Sequence, residues 1–207
     1  MALNSAKDMT RFQHRRRIAL AVIILLILGA LLTVRSAWSN DWAHEYIEDF
    51  GIGVIVLAIL GRMWCTLYIG GRKSSEIVRL GPYSMSRNPL YVFSTLGAFG
   101  IGMMTGSLTV AFALAVLCYI AFYFVIVAEE GYLETNFGET YLAYKRDVPR
   151  FFPKLRLYRE AEVLSVKSSM LYKTLADGLV FFVSYPLLEF VEYLQSANIL
   201  PVLFRFY

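Results

Sequence analysis

The chain alternates long apolar blocks with short polar segments, and the apolar residues show neither the period of a half-buried strand nor that of an amphipathic helix. Residues 18–34 run without a charge after Arg15-Arg16-Arg17, which is close to the shortest helix that crosses a hydrocarbon core. A second block, 52–69, is interrupted by Gly61 and Arg62 and stops at Gly70-Gly71. Blocks 89–104 and 108–128 are separated only by Thr105-Gly106-Ser107. That turn is too short for anything but an antiparallel return, so the two form a helical hairpin. A last block, 171–193, contains Asp177, Pro186, Glu189 and Glu192. A charge at mid-membrane costs about 2.5–3.5 kcal/mol, so this block is either a fifth span packed on the others or an interfacial helix. The pattern predicts an all-α, polytopic helix bundle of about five transmembrane helices in one domain, 1–207.

Basic residues fall in the N-terminal tail and in segments 70–88 and 129–170, whereas Asp41, Glu45, Glu48 and Asp49 share the 36–50 loop with Trp38 and Trp42. The positive-inside rule then puts the N-terminus and both basic segments in the cytoplasm. A bacterial inner membrane is the expected location. A basic head followed by an apolar run also describes a signal peptide, but no convincing small-residue cleavage site follows and further spans do.

Composition agrees with a bilayer as solvent, because 57% of the 207 residues are hydrophobic and only 17% are charged. The formal net charge of +4 is spread in clusters facing anionic lipid rather than in an aromatic-basic strip, so no nucleic-acid partner is expected. Cys65 and Cys118 lie in apolar runs without CxxC spacing, and His14 and His44 are the only histidines. Neither a disulfide framework nor a metal site is expected.

Candidate chemistry gathers at the ends of the spans. Gly81-Pro82-Tyr83 precedes Arg87-Asn88-Pro89-Leu90-Tyr91, where Pro89 suits the first helical turn and Asn88 the N-cap. Glu129-Glu130 close the fourth block, and the hairpin returns them toward residues 83–91. Neighbouring helix positions are about 100° apart, so at most one of the pair points into a shared pocket. A capped span and an acidic helix end explain these residues equally well without function. Arg62 lies inside the second span, where it either snorkels along its stem or faces the pocket and an anionic group.

These motifs, in order with Phe137-Gly138, Tyr141, Tyr144 and Val148-Pro149-Arg150-Phe151-Phe152-Pro153, resemble those of the isoprenylcysteine carboxyl methyltransferases, their bacterial relatives and the phospholipid methyltransferases. The resemblance covers roughly residues 57–153. It implies S-adenosylmethionine as cofactor in a cytoplasmic-side pocket. By position it implicates Ser75, Glu76, Ile77, Val78, Tyr83, Asn88, Pro89, Leu90, Tyr91 and Glu129 in cofactor binding, with Arg62, Arg87 and Glu130 as candidate catalytic side chains. Two departures stand out. Asn88 replaces the family's histidine and cannot exchange a proton near neutral pH. Val125 stands where the eukaryotic enzymes carry a carboxylate-binding arginine, which argues against a prenylcysteine carboxylate.

Methyl transfer from a sulfonium needs alignment and exclusion of water rather than a metal or a covalent intermediate. An anionic nucleophile requires no base, whereas an amine requires one, with Glu130 or Glu76 as candidates. The implied function is methyl transfer to a lipophilic small molecule or lipid-modified substrate, such as an isoprenylcysteine carboxylate, a phospholipid amine or a small thiol. The competing readings are an NADPH-dependent reductase of the sterol reductase type and a non-catalytic membrane protein that keeps the fold.

Overall fold

The computed structural model of the protein describes residues 29–38, 41–72 and 76–207. Most of the expected first span, 18–34, lies outside the described residues, and Val34 opens the short strand β1, Val34–Ser36. The helices are α1 (Asp41–Ile69), α2 (Pro82–Met85), α3 (Pro89–Met103), α4 (Leu108–Phe137), α5 (Glu139–Asp147) and α6 (Ser168–Ser196), followed by strand β2 (Phe204–Phe206). Helices α1, α4 and α6 are long and apolar enough to cross a membrane, and α3 is a shorter apolar helix.

The chain forms two compact units. Among the described residues, the smaller joins 29–35 with Phe190–Arg205. In it Gln195 donates from Nε2 to the carbonyls of Leu32 and Val34, at 3.0 and 3.1 Å, and Arg35 pairs with Glu192 at 3.7 Å. The larger unit, Ser36–Glu189 with Phe206–Tyr207, contains every described candidate site residue.

Several boundaries differ from the sequence reading, each for a physical reason. Helix α1 starts at Asp41 rather than Ile52, because nothing in the acidic 41–50 stretch breaks a helix that the apolar block has already nucleated. It also runs unbroken through Gly61 and Arg62, since a single glycine costs a helix only about 1 kcal/mol. Helix α4, by contrast, carries on past the apolar block to Phe137, as the amphipathic stretch after Ala128 leads one to expect, and ends at Gly138, whose φ of 51° favours glycine. Pro186 lies within α6 without ending it.

Close helix approach organises the larger unit. A Cβ on Gly100 would come within 2.8 Å of the Ile55 side chain, and one on Gly102 within 2.4 Å of the Ala111 Cα. Helix α3 therefore touches α1 and α4 nearly backbone to backbone, as small residues permit between apolar helices. The α3–α4 turn is closed by the Gly106 amide on the Met103 carbonyl at 2.9 Å. Ser107 caps α4 by accepting from the Val110 amide at 3.3 Å. Among the described residues one side of α4 is left uncovered, with Phe112, Val116, Ile120, Phe124 and Val127 all exposed. Such a patch is untenable in water and ordinary against lipid tails.

Candidate functional site

The 81–91 segment links α1 to α3 and is held by its neighbours' backbone as much as by its own. The Gly81 amide donates to the Arg159 carbonyl at 2.6 Å, the Arg87 amide to Pro149 at 2.9 Å, and the Lys154 amide to Met85 at 3.0 Å. Ser86, fully buried, donates from Oγ to the Phe151 carbonyl at 2.9 Å. Residues 148–154 are thereby stitched against 81–88, although more than sixty positions separate them in the chain.

Glu130, 4% exposed, stands at the centre of this seam. Its Oε1 accepts from Arg87 Nε at 2.9 Å and from Asn88 Nδ2 at 3.3 Å. Its Oε2 accepts from Arg150, Nε at 3.0 Å and Nη2 at 2.9 Å. Arg87 also donates from Nη1 to the carbonyls of Lys145 and Val148, at 2.8 and 2.7 Å. The bond to Glu130 is the largest influence raising the pKa of Arg150, so the arginine keeps its charge. Asn88 precedes α3 as expected, but its side chain makes no capping bond. Its amide instead donates to Glu130 and, at 3.1 Å, to the Arg150 carbonyl.

Beside this brace sits Tyr83, 5% exposed and packed with Cys65 and Tyr68. Its carbonyl accepts from the Tyr144 hydroxyl at 2.6 Å. Its own hydroxyl is buried with no hydrogen-bond partner among the described residues. Burial pushes its pKa well up, with smaller contributions from Cys65, Tyr144, Tyr91 and the Glu129 carboxylate, so it keeps its proton at neutral pH and can donate a hydrogen bond. A buried hydroxyl without a partner costs about 1–3 kcal/mol, which a polar ligand would relieve. Tyr83 is therefore a buried donor open to a polar ligand, and Glu129 lies half-buried on α4.

The other candidates are distributed as follows. Ser75 lies outside the described residues. Glu76 is exposed and pairs with Arg72 at 3.3 Å. Ile77 packs on Tyr141, Tyr144 and Val148, whereas Val78 and Leu90 pack around Tyr83. Tyr91 stacks on Phe122 with ring centroids 4.7 Å apart. Arg62 stands apart from the seam. It donates to Ser94 Oγ, its Nε is buried without a partner among the described residues, and its guanidinium carbon lies 5.9 Å from the Phe181 ring centre.

The structure thus joins Arg87, Asn88 and Glu130 directly and keeps Tyr83 and Glu129 close by. Sequence reasoning gave Arg150 no role, although its Val-Pro-Arg context was the available signal. It also missed a cavity of about 370 Å³ between α1, α3 and the 153–158 loop. Pro89 is the one expected site residue among its walls, which include Trp64, Met85, Val92, Phe93 and Tyr158.

Residues 18–140 match the phospholipid methyltransferase family. The chain is 37% identical over 201 residues to the nickel-cobalt-cadmium resistance protein NccN of Alcaligenes xylosoxydans xylosoxydans, covering 97% of this chain and 94% of the relative. It is 35% identical over 196 residues to the cobalt-zinc-cadmium resistance protein CzcN of Cupriavidus metallidurans, covering 94% and 90% respectively. No solved structure gives a significant match. With most of its helical core matched and its relatives aligned almost end to end, the chain is a membrane protein that belongs to the phospholipid methyltransferase family.

Proposed function

We propose that the protein is an S-adenosylmethionine-dependent methyltransferase of the membrane that modifies a lipophilic acceptor and contributes to heavy-metal resistance. The meeting of two motif segments, Arg87-Asn88 and Glu129-Glu130, in one buried polar centre carries this reading. Family membership and the names of the resistance-protein relatives support it.

Bound S-adenosylmethionine supplies an electrophilic methyl group on a sulfonium sulfur. The chain's own residues hold and orient. Tyr83 offers its unused hydroxyl as a donor, and Glu129 a carboxylate that accepts from amino or ribose groups. Glu130 acts as a brace rather than a base, because two arginines and Asn88 already occupy both its oxygens. Packed apolar side chains around Tyr83 keep water out. No described residue of this centre is well suited to take up a proton from an amine, which favours an acceptor that arrives as an anion.

Calorimetric titration of the purified full chain with S-adenosylmethionine and with NADPH tests the cofactor. Micromolar binding of the first alone is expected, and Glu129→Gln should weaken it. Binding of NADPH alone makes the protein a reductase, and binding of neither leaves a non-catalytic membrane protein. Growth of a deletion strain on nickel, cobalt and cadmium tests the cellular role. Wild-type protein should restore tolerance and the Glu129→Gln variant should not.

A further inference from the structure

The cavity between α1, α3 and the 153–158 loop has no part in the polar centre just described. Its volume of about 370 Å³ falls within the range of small-molecule sites. Trp64, Met85, Val92 and Phe93 wall it from the helices, and Leu155 and Tyr158 from the loop after α5. Apart from the Tyr158 phenol and the Trp64 indole N–H, these side chains offer nothing to pair with a charged ligand. Burying the amino, carboxylate or sulfonium groups of the cofactor here would leave them unsatisfied. Hydrocarbon incurs no such penalty, and apolar cavities readily take apolar guests.

Position adds to chemistry. Pro82, Met85 and Pro89 contribute to the wall and belong to the same short segment as Tyr83 and Asn88. An amphiphile with its chain in the cavity would therefore have its head group at the level of the polar centre. The rim also reaches Leu155, 76% exposed and three positions from the equally exposed Phe152. Apolar surface thus continues from the outside of the protein into the cavity.

We propose that this cavity holds a single hydrocarbon chain of the methyl acceptor. The word acceptor rests on the methyltransferase reading, but occupancy by a hydrocarbon chain does not. Trp64 reports on it directly, because the protein has three tryptophans and the W38F/W42F variant retains only the one in the cavity wall.

The test titrates this full-length variant, in non-ionic detergent, with 9,10-dibromostearate, whose bromines quench nearby indole fluorescence. Saturable quenching is expected. Val92→Phe, which fills the cavity, should raise the apparent Kd about tenfold. Leu155→Gln, at an exposed rim position that leaves the core intact, should weaken binding by a smaller factor. Quenching that grows linearly with probe mole fraction and is equal in all three proteins would overturn the proposal, leaving Trp64 in contact with bulk amphiphile only. S-adenosylmethionine affinity is measured on the same samples. Saturable chain binding without cofactor affinity keeps the cavity assignment and sinks the methyltransferase reading, whereas cofactor affinity with unsaturable quenching does the reverse.

Discussion

Arg87 donates from Nε to Oε1 of Glu130 across 2.9 Å, and the two side chains are only 8% and 5% exposed. This bond ties the segment before α3 to the fourth helix, and Arg150 ties the chain after α5 to the same carboxylate. Removing the carboxylate leaves a buried guanidinium without its counter-charge, which typically costs about 3–5 kcal/mol. Glu130→Ala should therefore lower the thermal midpoint in detergent by many degrees. Glu130→Gln, which keeps an acceptor oxygen, should lower it less. Equal and small shifts in both would mean that the pair contributes little.

Tyr83→Phe separates ligand binding from folding. The hydroxyl has no partner among the described residues, so deleting it should leave stability unchanged or raise it by up to about 1 kcal/mol. Affinity for S-adenosylmethionine should nonetheless fall about tenfold, the size of one lost hydrogen bond to a charged group. Calorimetry and thermal unfolding of one preparation check both halves.

The hairpin depends on Gly102, because an added Cβ would meet the Ala111 backbone at 2.4 Å. Backbone cannot swing aside as a side chain can. Gly102→Ala should cost at least the 1–3 kcal/mol or so typical of overpacking. Gly53→Ala, with nothing within 4 Å of the new methyl, serves as the control and should be neutral or mildly stabilising. Denaturation in mixed micelles ranks the two variants.

Alkaline pH should loosen the seam. Burial, the largest influence at each site, raises the pKa values of Tyr83, Tyr141 and Tyr144 above their ordinary 10.0. Above pH 10 the unfolded chain loses these protons while the folded chain keeps them, so unfolding is increasingly favoured as pH rises. Stability should be flat with respect to these groups below pH 9 and should fall beyond 10. The triple Phe variant should show a shallower decline in equilibrium unfolding followed between pH 8 and 11.

Apolar block length is a property of the chain alone, and for that reason the four helical stretches from α1 to α6 that could enter a membrane were legible from composition along the sequence. The motifs around Tyr83, Asn88 and Glu129-Glu130 were legible too, because a short hairpin must bring its two ends back to the same level. Which glutamate of the pair turns inward was not, since a step of about 100° along a helix separates them and only the packing of α4 sets its rotation. That packing buries Glu130 and leaves Glu129 half-exposed. Nor was the partnership of Arg150 with residues far earlier in the chain, or the absence of a capping bond from Asn88, visible before folding. Hydrogen-bond partners are chosen by three-dimensional proximity, and so the brace, the burial of the Tyr83 hydroxyl away from any described partner and the apolar cavity belong to the tertiary structure.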